Sequence, residues 1–112
     1  MIKQQIEALL EEIAVAPEAA GKNLRFLPAE HARLEEPVPG IYLLTWSQPQ
    51  QGDRLKLTYA YRDLDEVAVV ISLVFSLKGE ITEMELSRGD GKPIRRVPAM
   101  TELFTPPINT PF

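Results

Sequence analysis

Apolar residues near the amino terminus recur at the spacing that places them on one face of a helix. The residues that share this spacing are Ile2, Ile6, Leu9, Leu10 and Ile13. They predict a helix over residues 2–14, which Pro17 and Gly21 then close. An isolated helix of this length is marginally stable in water, so its apolar face must pack on another part of the chain.

From residue 40 onward, the pattern changes to alternating and β-branched runs that turn residues separate. The predicted strands cover residues 41–47, 54–61, 67–78 and 80–86, followed by a further extended segment over residues 93–97. The third run is longer than an ordinary strand, so we expect a bend or a bulge within it. Lys78 and Gly79 predict a tight turn into the fourth strand, and residues 89–91 predict another turn.

These elements together predict an α+β fold. In this fold the N-terminal helix packs on the concave face of a curved, four- to five-stranded antiparallel meander sheet. Residues 22–39 are less regular than the rest. Within them, residues 24–27 are compatible with a short strand, and residues 28–35 with a helical turn that has proline at its first position.

Length and composition indicate one folded domain. The chain has 112 residues, of which 45% are hydrophobic and 25% are charged, and these values are typical of a single globular domain. We place this domain at residues 1–97. Prolines are frequent in residues 98–112, so this part is predicted to be an extended tail that packs on the domain or on a partner.

Charge and cysteine content disfavour several classes of function. The net charge of -4 opposes general binding to nucleic acid or to an anionic membrane. The absence of cysteine excludes disulfides, thiolate metal sites and cysteine nucleophiles. No apolar run approaches the roughly 18 residues that cross a bilayer, and the first residues lack a secretory signal, so we expect a cytoplasmic protein.

Residues that often carry catalysis are few. His31 is the only histidine and lies beside Glu30, and one imidazole without a second imidazole or a thiol is a poor site for a transition metal. Asp63, Asp65 and Glu66 crowd one connection, but the glycine and the glutamate that a calcium loop requires are missing. We interpret this connection as a solvated turn. We expect no metal and no cofactor, and we favour a binding protein over an enzyme.

The predicted sheet has more apolar surface than one helix can cover. The small and apolar residues on the strand faces away from the helix are Ala60, Ala68, Val70 and Val74. The strand over residues 41–47 adds an aromatic face with Tyr42 and Trp46. Exposed apolar patches often mark partner surfaces, and aromatic residues are frequent anchors there. We therefore predict that Tyr42 and Trp46 contact a partner.

Positive charges gather near the turn at residues 89–91. They belong to Arg88, Lys92, Arg95 and Arg96. Only Asp90 opposes them in the local sequence, so this basic hairpin is suited to an acidic partner. We predict that the basic hairpin and the two aromatic residues together form the interface of a homodimer or of a complex with an acidic protein.

A second class of function remains open. The order of one helix followed by antiparallel strands resembles the architecture of cystatin-like and NTF2-like rolls, and this resemblance implies a pocket between helix and sheet. Tyr59 and Tyr61 alternate onto the predicted core face and would line such a pocket. The protein would then bind a small molecule, with or without catalysis.

Overall fold

The N-terminal helix forms where the apolar spacing predicts it. The computed structural model describes residues 2–16, 23–47 and 55–104. Helix α1 spans Ile2–Ala14, which is the predicted range. Its face toward the sheet consists of buried side chains, those of Ile6, Leu9, Leu10 and Ile13.

Within the described residues, the strands form one antiparallel sheet of five members. They are β1 (Arg33–Glu35), β2 (Ile41–Thr45), β3 (Leu55–Arg62), β4 (Ala68–Phe75) and β5 (Ile81–Arg88). Strands β2 to β5 lie where the alternating pattern predicts them, with ends that differ by a few residues. Because α1 shares one core with this sheet, the predicted α+β fold is confirmed.

The order of the strands across the sheet is β1-β2-β5-β4-β3. Strands β3, β4 and β5 form a meander of two hairpins. Strands β1 and β2 form another hairpin, which joins the sheet through β2 beside β5. β5 is therefore the central strand, and it is the last of the five in the chain.

The fifth strand lies in the segment whose course the sequence leaves open. Strand β1 follows a short 3-10 helix at Ala29–His31, so the predicted helical turn over residues 28–35 is confirmed only in part. Residues 24–27 contribute a single bridge, between Arg25 and Glu80, instead of a strand. The further extended segment expected at residues 93–97 does not join the sheet as a strand, because these residues are irregular.

We expected a bend or a bulge within the third run, and the structure has its bulge on the neighbouring strand, β5. The register between β4 and β5 shifts between Val74 and Phe75, since Val74 lies opposite Glu83 while Phe75 lies opposite Ile81. Thr82 is thus an extra residue on β5, as in a β-bulge. Ile81 and Thr82 are both buried, whereas a regular strand would place consecutive residues on opposite faces.

The first part of the C-terminal segment covers an edge of the sheet. Residues Met100–Glu102 form a short 3-10 helix. The backbone of Phe104 then exchanges two hydrogen bonds with that of Ala60, at 2.8 and 2.9 Å. This contact shortens the exposed edge of β3, which limits its pairing with other chains. Residues 105–112 of the predicted tail lie outside the described residues.

Gly40, which precedes β2, combines a left-handed backbone with close neighbours. Its φ is +92°, and a Cβ atom there would lie 2.8 Å from the carbonyl oxygen of Lys92 and 3.0 Å from that of Arg88. Gly91 also has a positive φ, +75°, but nothing lies within 4 Å of its Cβ position. The two glycines therefore separate the effect of backbone conformation from the effect of crowding.

We expect Gly91→Ala to lower the free energy of unfolding by about 1 kcal/mol, through backbone strain alone. Gly40→Ala should lower it by at least about 2–3 kcal/mol, because two backbone carbonyls must also move. Urea unfolding of both variants measures the difference. Equal losses would mean that the contact between Gly40 and the segment at Lys92 does not restrict this position.

Candidate functional site

The two faces of the sheet differ in chemistry. One face packs on α1 and forms the core. We call the other face the open face. Residues directly opposite each other on paired strands share a face, so the register places on it Arg33, Glu35, Ile41, Leu43, Thr45, Lys56, Thr58, Ala60, Arg62, Ala68, Val70, Ser72, Val74, Glu83, Glu85 and Ser87.

A groove of about 590 Å³ lies along the open face. Its floor includes Val70, Ser72 and Val74 of β4, and its sides include Lys56 of β3 and Glu85 of β5. Strands β3 and β5 flank β4 and so lie about 10 Å apart, and Lys56 and Glu85 are also offset by two residues along the strands. The groove therefore combines an apolar floor with opposite charges on its two sides.

The predicted aromatic anchors lie on the core side of β2. Tyr42 shares the face of the buried Leu44, and both Tyr42 and Trp46 pack against the core. Nε1 of Trp46 donates a hydrogen bond of 2.9 Å to the carbonyl oxygen of Pro28. Burial, together with the carboxylate of Glu36, raises the pKa of Tyr42. Their aromatic surface is thus used largely within the domain, and contact with a partner stays a prediction.

Arg88, the first residue of the basic hairpin, is buried. Its side chain has no exposed surface, and its guanidinium donates hydrogen bonds to three carboxylates. Nη1 lies 2.8 Å from Asp63, Nε lies 2.8 Å from Asp90, and both Nη atoms contact Asp65. We call these four residues the Arg88 cluster. The expectation of a free positive charge at Arg88 is wrong, because the guanidinium is used inside the domain.

The Arg88 cluster keeps its three aspartates ionised. Burial acts to raise the pKa of Asp63, but hydrogen bonds from two backbone N–H groups and from Arg88 hold that pKa below its ordinary value. Hydrogen bonds from Arg88 also lower the pKa values of Asp65 and Asp90. The side chain of Asp63 has no exposed surface. The acidic connection therefore contains a buried ionic site, where we expected a solvated turn.

The other members of the basic hairpin have different surroundings. The guanidinium of Arg96 contacts the carboxylate of Glu102 and the carbonyl oxygen of Arg62. Lys92 and Arg95 are exposed, and the backbone N–H of Arg95 donates to Asp63. The carboxylates of the Arg88 cluster and of Glu102 offset much of the positive charge here. An acidic partner would therefore meet less net positive charge here than the sequence indicates, and binding by these residues stays a prediction.

Tyr59 and Tyr61, the candidates for a pocket, are buried in the core. The hydroxyl of Tyr61 donates a hydrogen bond of 2.7 Å to the carbonyl oxygen of Arg96. Burial is the main reason that the pKa of Tyr61 is raised far above its ordinary value. The groove on the open face lies on the opposite side of the sheet from both tyrosines. A ligand bound between helix and sheet would have to displace these packed side chains.

The remaining chemical candidates form no site. Nε2 of His31 lies 3.9 Å from Glu30, and both side chains are largely exposed. Within residues 2–16, 23–47 and 55–104, no group of three or more acidic or histidine side chains is arranged to hold a metal ion. No helix in this part of the chain has the length and the apolar character needed to span a bilayer.

Comparisons with protein-family models, with curated proteins and with solved structures find no match to this chain. The resemblance to cystatin-like and NTF2-like rolls therefore stays one of architecture.

Sequence reasoning missed the burial of Arg88, although a signal for it exists. Met84 and Leu86 alternate onto the core face, and the same period of two continues to Arg88. A charged residue in a core-facing position requires buried counter-ions. The predicted strand ended at Leu86, so Arg88 was not recognised as a core-facing residue of the same strand.

Proposed function

We propose that this protein is a non-enzymatic interaction module that binds a protein partner through its open face. The observation that carries this proposal is the uneven cover of the sheet. Helix α1 packs on one face, while Leu43, Val70 and Val74 on the other face are only half-buried. A sheet face with apolar side chains gains stability from a second covering layer.

The side chains along the groove favour binding over catalysis. Ser72 and Ser87 supply hydroxyl groups, but a serine nucleophile requires a positioned base. His31, the only histidine of the chain, lies in the 3-10 helix that packs against α1, on the other side of the sheet. An apolar floor between charged sides is instead the arrangement found at protein interfaces.

A photo-crosslinking residue at position 72 tests the proposal in cells that contain the natural partners. Ser72 lies in the floor of the groove, so a probe there should give discrete crosslinked products. The same probe at Gln5, which is exposed on α1, serves as the control. Products from position 72 that are absent from position 5 are expected. Identical products from both positions, or none from position 72, would overturn the proposal.

A further inference from the structure

The last described residues bring the chain onto the open face. Leu103 packs against the core, and Phe104 forms an antiparallel bridge with Ala60 of β3. Residues directly opposite each other in such a bridge share a face, so Phe104 lies on the open face with Ala60. The core contact of Leu103 agrees with this placement, because consecutive residues of an extended chain point to opposite faces.

Cover of the open face begins at this bridge. Ala60 is 3% exposed, whereas every other residue that the register places on the open face is half-buried or exposed. Its neighbours Thr58 and Val70 belong to the half-buried group. The open face is therefore best covered where the C-terminal segment reaches it, and 43% of the surface of Phe104 is exposed and available for further contacts.

The sequence beyond Phe104 does not suit a strand along β3. Ala60 and Phe104 exchange two backbone hydrogen bonds, so the next pair of this kind would join Thr58 and Pro106. Proline has no N–H group to donate, and Pro107 follows it. Regular pairing is therefore excluded after Phe104, and the open face is the apolar surface beside this point.

Residues 105–112 have the chemistry and the length to cover the groove. Five of the eight are apolar and none is charged, which suits an apolar floor, and prolines lower the entropy lost on binding. Extended at about 3.1 Å per residue, eight residues reach about 25 Å. Phe104 lies outside β3, so β5 is three strand spacings away from it, about 14 Å.

We infer that residues 105–112 are an internal ligand of the open face, which covers the groove until a protein partner displaces it. The inference rests on the proposed function, because it names the regulation of the same surface. An attached segment has an effective concentration of about millimolar, so weak intrinsic binding is enough to keep the groove covered. The apparent affinity for a partner is then reduced in proportion to the fraction of chains in which the groove is free.

A nitroxide label tests the position of residues 105–112 in the full chain. The sequence has no cysteine, so Asn109→Cys accepts a single label. This label should broaden the methyl NMR signals of Val70 and Val74 far more than those of Ile6, which lies in α1 on the other side of the sheet. A label at Gln5→Cys, which is exposed on α1, should give the opposite result. Valine signals that stay as sharp as those of Ile6 with the label at position 109 would overturn the inference.

A mixture of chains distinguishes cover by the same chain from cover by a second copy. Isotope-labelled chains without nitroxide are mixed with nitroxide-labelled chains without isotope. The signals of Val70 and Val74 should then stay sharp, because each chain covers its own groove. Broadening in this mixture would assign the contact to another copy and would overturn the inference.

Ile108→Asp tests the displacement by a partner. A charge in the apolar segment disfavours its burial, so a photo-crosslinking residue at position 72 should give partner products at a yield at least about threefold higher than with the natural sequence. Thr101→Asp adds the same charge at an exposed position of the short 3-10 helix and should leave the yield unchanged. Equal yields from the two variants would overturn the inference and leave the proposed function intact. Absence of partner products from every variant would overturn the proposed function, and the nitroxide experiment separates the two failures because it requires no partner.

Discussion

Replacing Arg88 with methionine is expected to lower the melting temperature by more than about 10 °C at pH 7. Methionine is close to arginine in length and fills much of the same space. It leaves Asp63, Asp65 and Asp90 close together without a cation, and Asp63 stays buried. An unpaired buried charge is strongly destabilising. Thermal unfolding followed by circular dichroism measures the loss.

The loss in melting temperature caused by Arg88→Met should become smaller as the pH falls. In the natural protein, Asp63 and Asp65 have lowered pKa values. Their ionised forms therefore stabilise the folded state above about pH 4, and this stabilisation is lost as the pH falls through the lowered pKa values. Without Arg88, burial and mutual repulsion raise the aspartate pKa values above the ordinary value. The variant then gains stability as the pH falls toward those raised values, and the difference in melting temperature should narrow between about pH 7 and pH 5.

Arg95→Met is the matched control for this experiment. Arg95 lies in the same basic hairpin, but its side chain is exposed, and only its backbone N–H binds Asp63. We expect this variant to melt within a few degrees of the natural protein at every pH. An Arg88→Met protein that melts like Arg95→Met would show that the Arg88 cluster contributes little to the fold.

Leu9→Ala and Leu10→Ala should each reduce the free energy of unfolding by about 2–5 kcal/mol. Both side chains are almost completely buried, with 1% and 2% of their surface exposed. Truncation removes apolar contacts and leaves a cavity between α1 and the sheet. Urea unfolding provides the measurement.

Gln5→Ala is the control on the exposed side of the same helix. Alanine favours helices at least as well as glutamine, so this change should stay within about 0.5 kcal/mol of the natural protein. Losses below about 1 kcal/mol at both leucines would contradict the position of α1 on the core face.

Local patterns were sufficient to predict the helix and most strands. The spacing of Ile6, Leu9, Leu10 and Ile13 defines a single buried face, and alternation identifies β3 and β4 because every second residue must face the core. Strand β1 was not predicted because it has only three residues, Arg33–Glu35, of which the outer two are charged and exposed. A strand this short, at the edge of a sheet, is identified by its partner more than by its own sequence.

Contacts between distant segments could not be predicted from local sequence patterns. The pairing of β2 with β5 joins residues 38 to 46 positions apart, and no local pattern specifies it. The open face depends on this pairing, because it brings Leu43 beside Glu85. The Arg88 cluster likewise requires the turn at residues 63–66 to meet the end of β5. Tyr42 and Trp46 were expected at an interface because the local sequence does not show that Trp46 donates a hydrogen bond to Pro28 or that Tyr42 lies beside Glu36.

The central place of β5 has a consequence for how the chain folds during its synthesis. The β1–β2 and β3–β4 hairpins both leave the ribosome before β5, yet β5 is the strand that lies between them in the sheet. Until it arrives, the inner edges of β2 and β4 are unpaired and open to other chains. Its insertion closes long-range contacts on both sides, a step that is slow compared with hairpin formation. The nascent chain is therefore most exposed to aggregation just before Ile81–Arg88 emerges, and this is the interval in which a chaperone would help most.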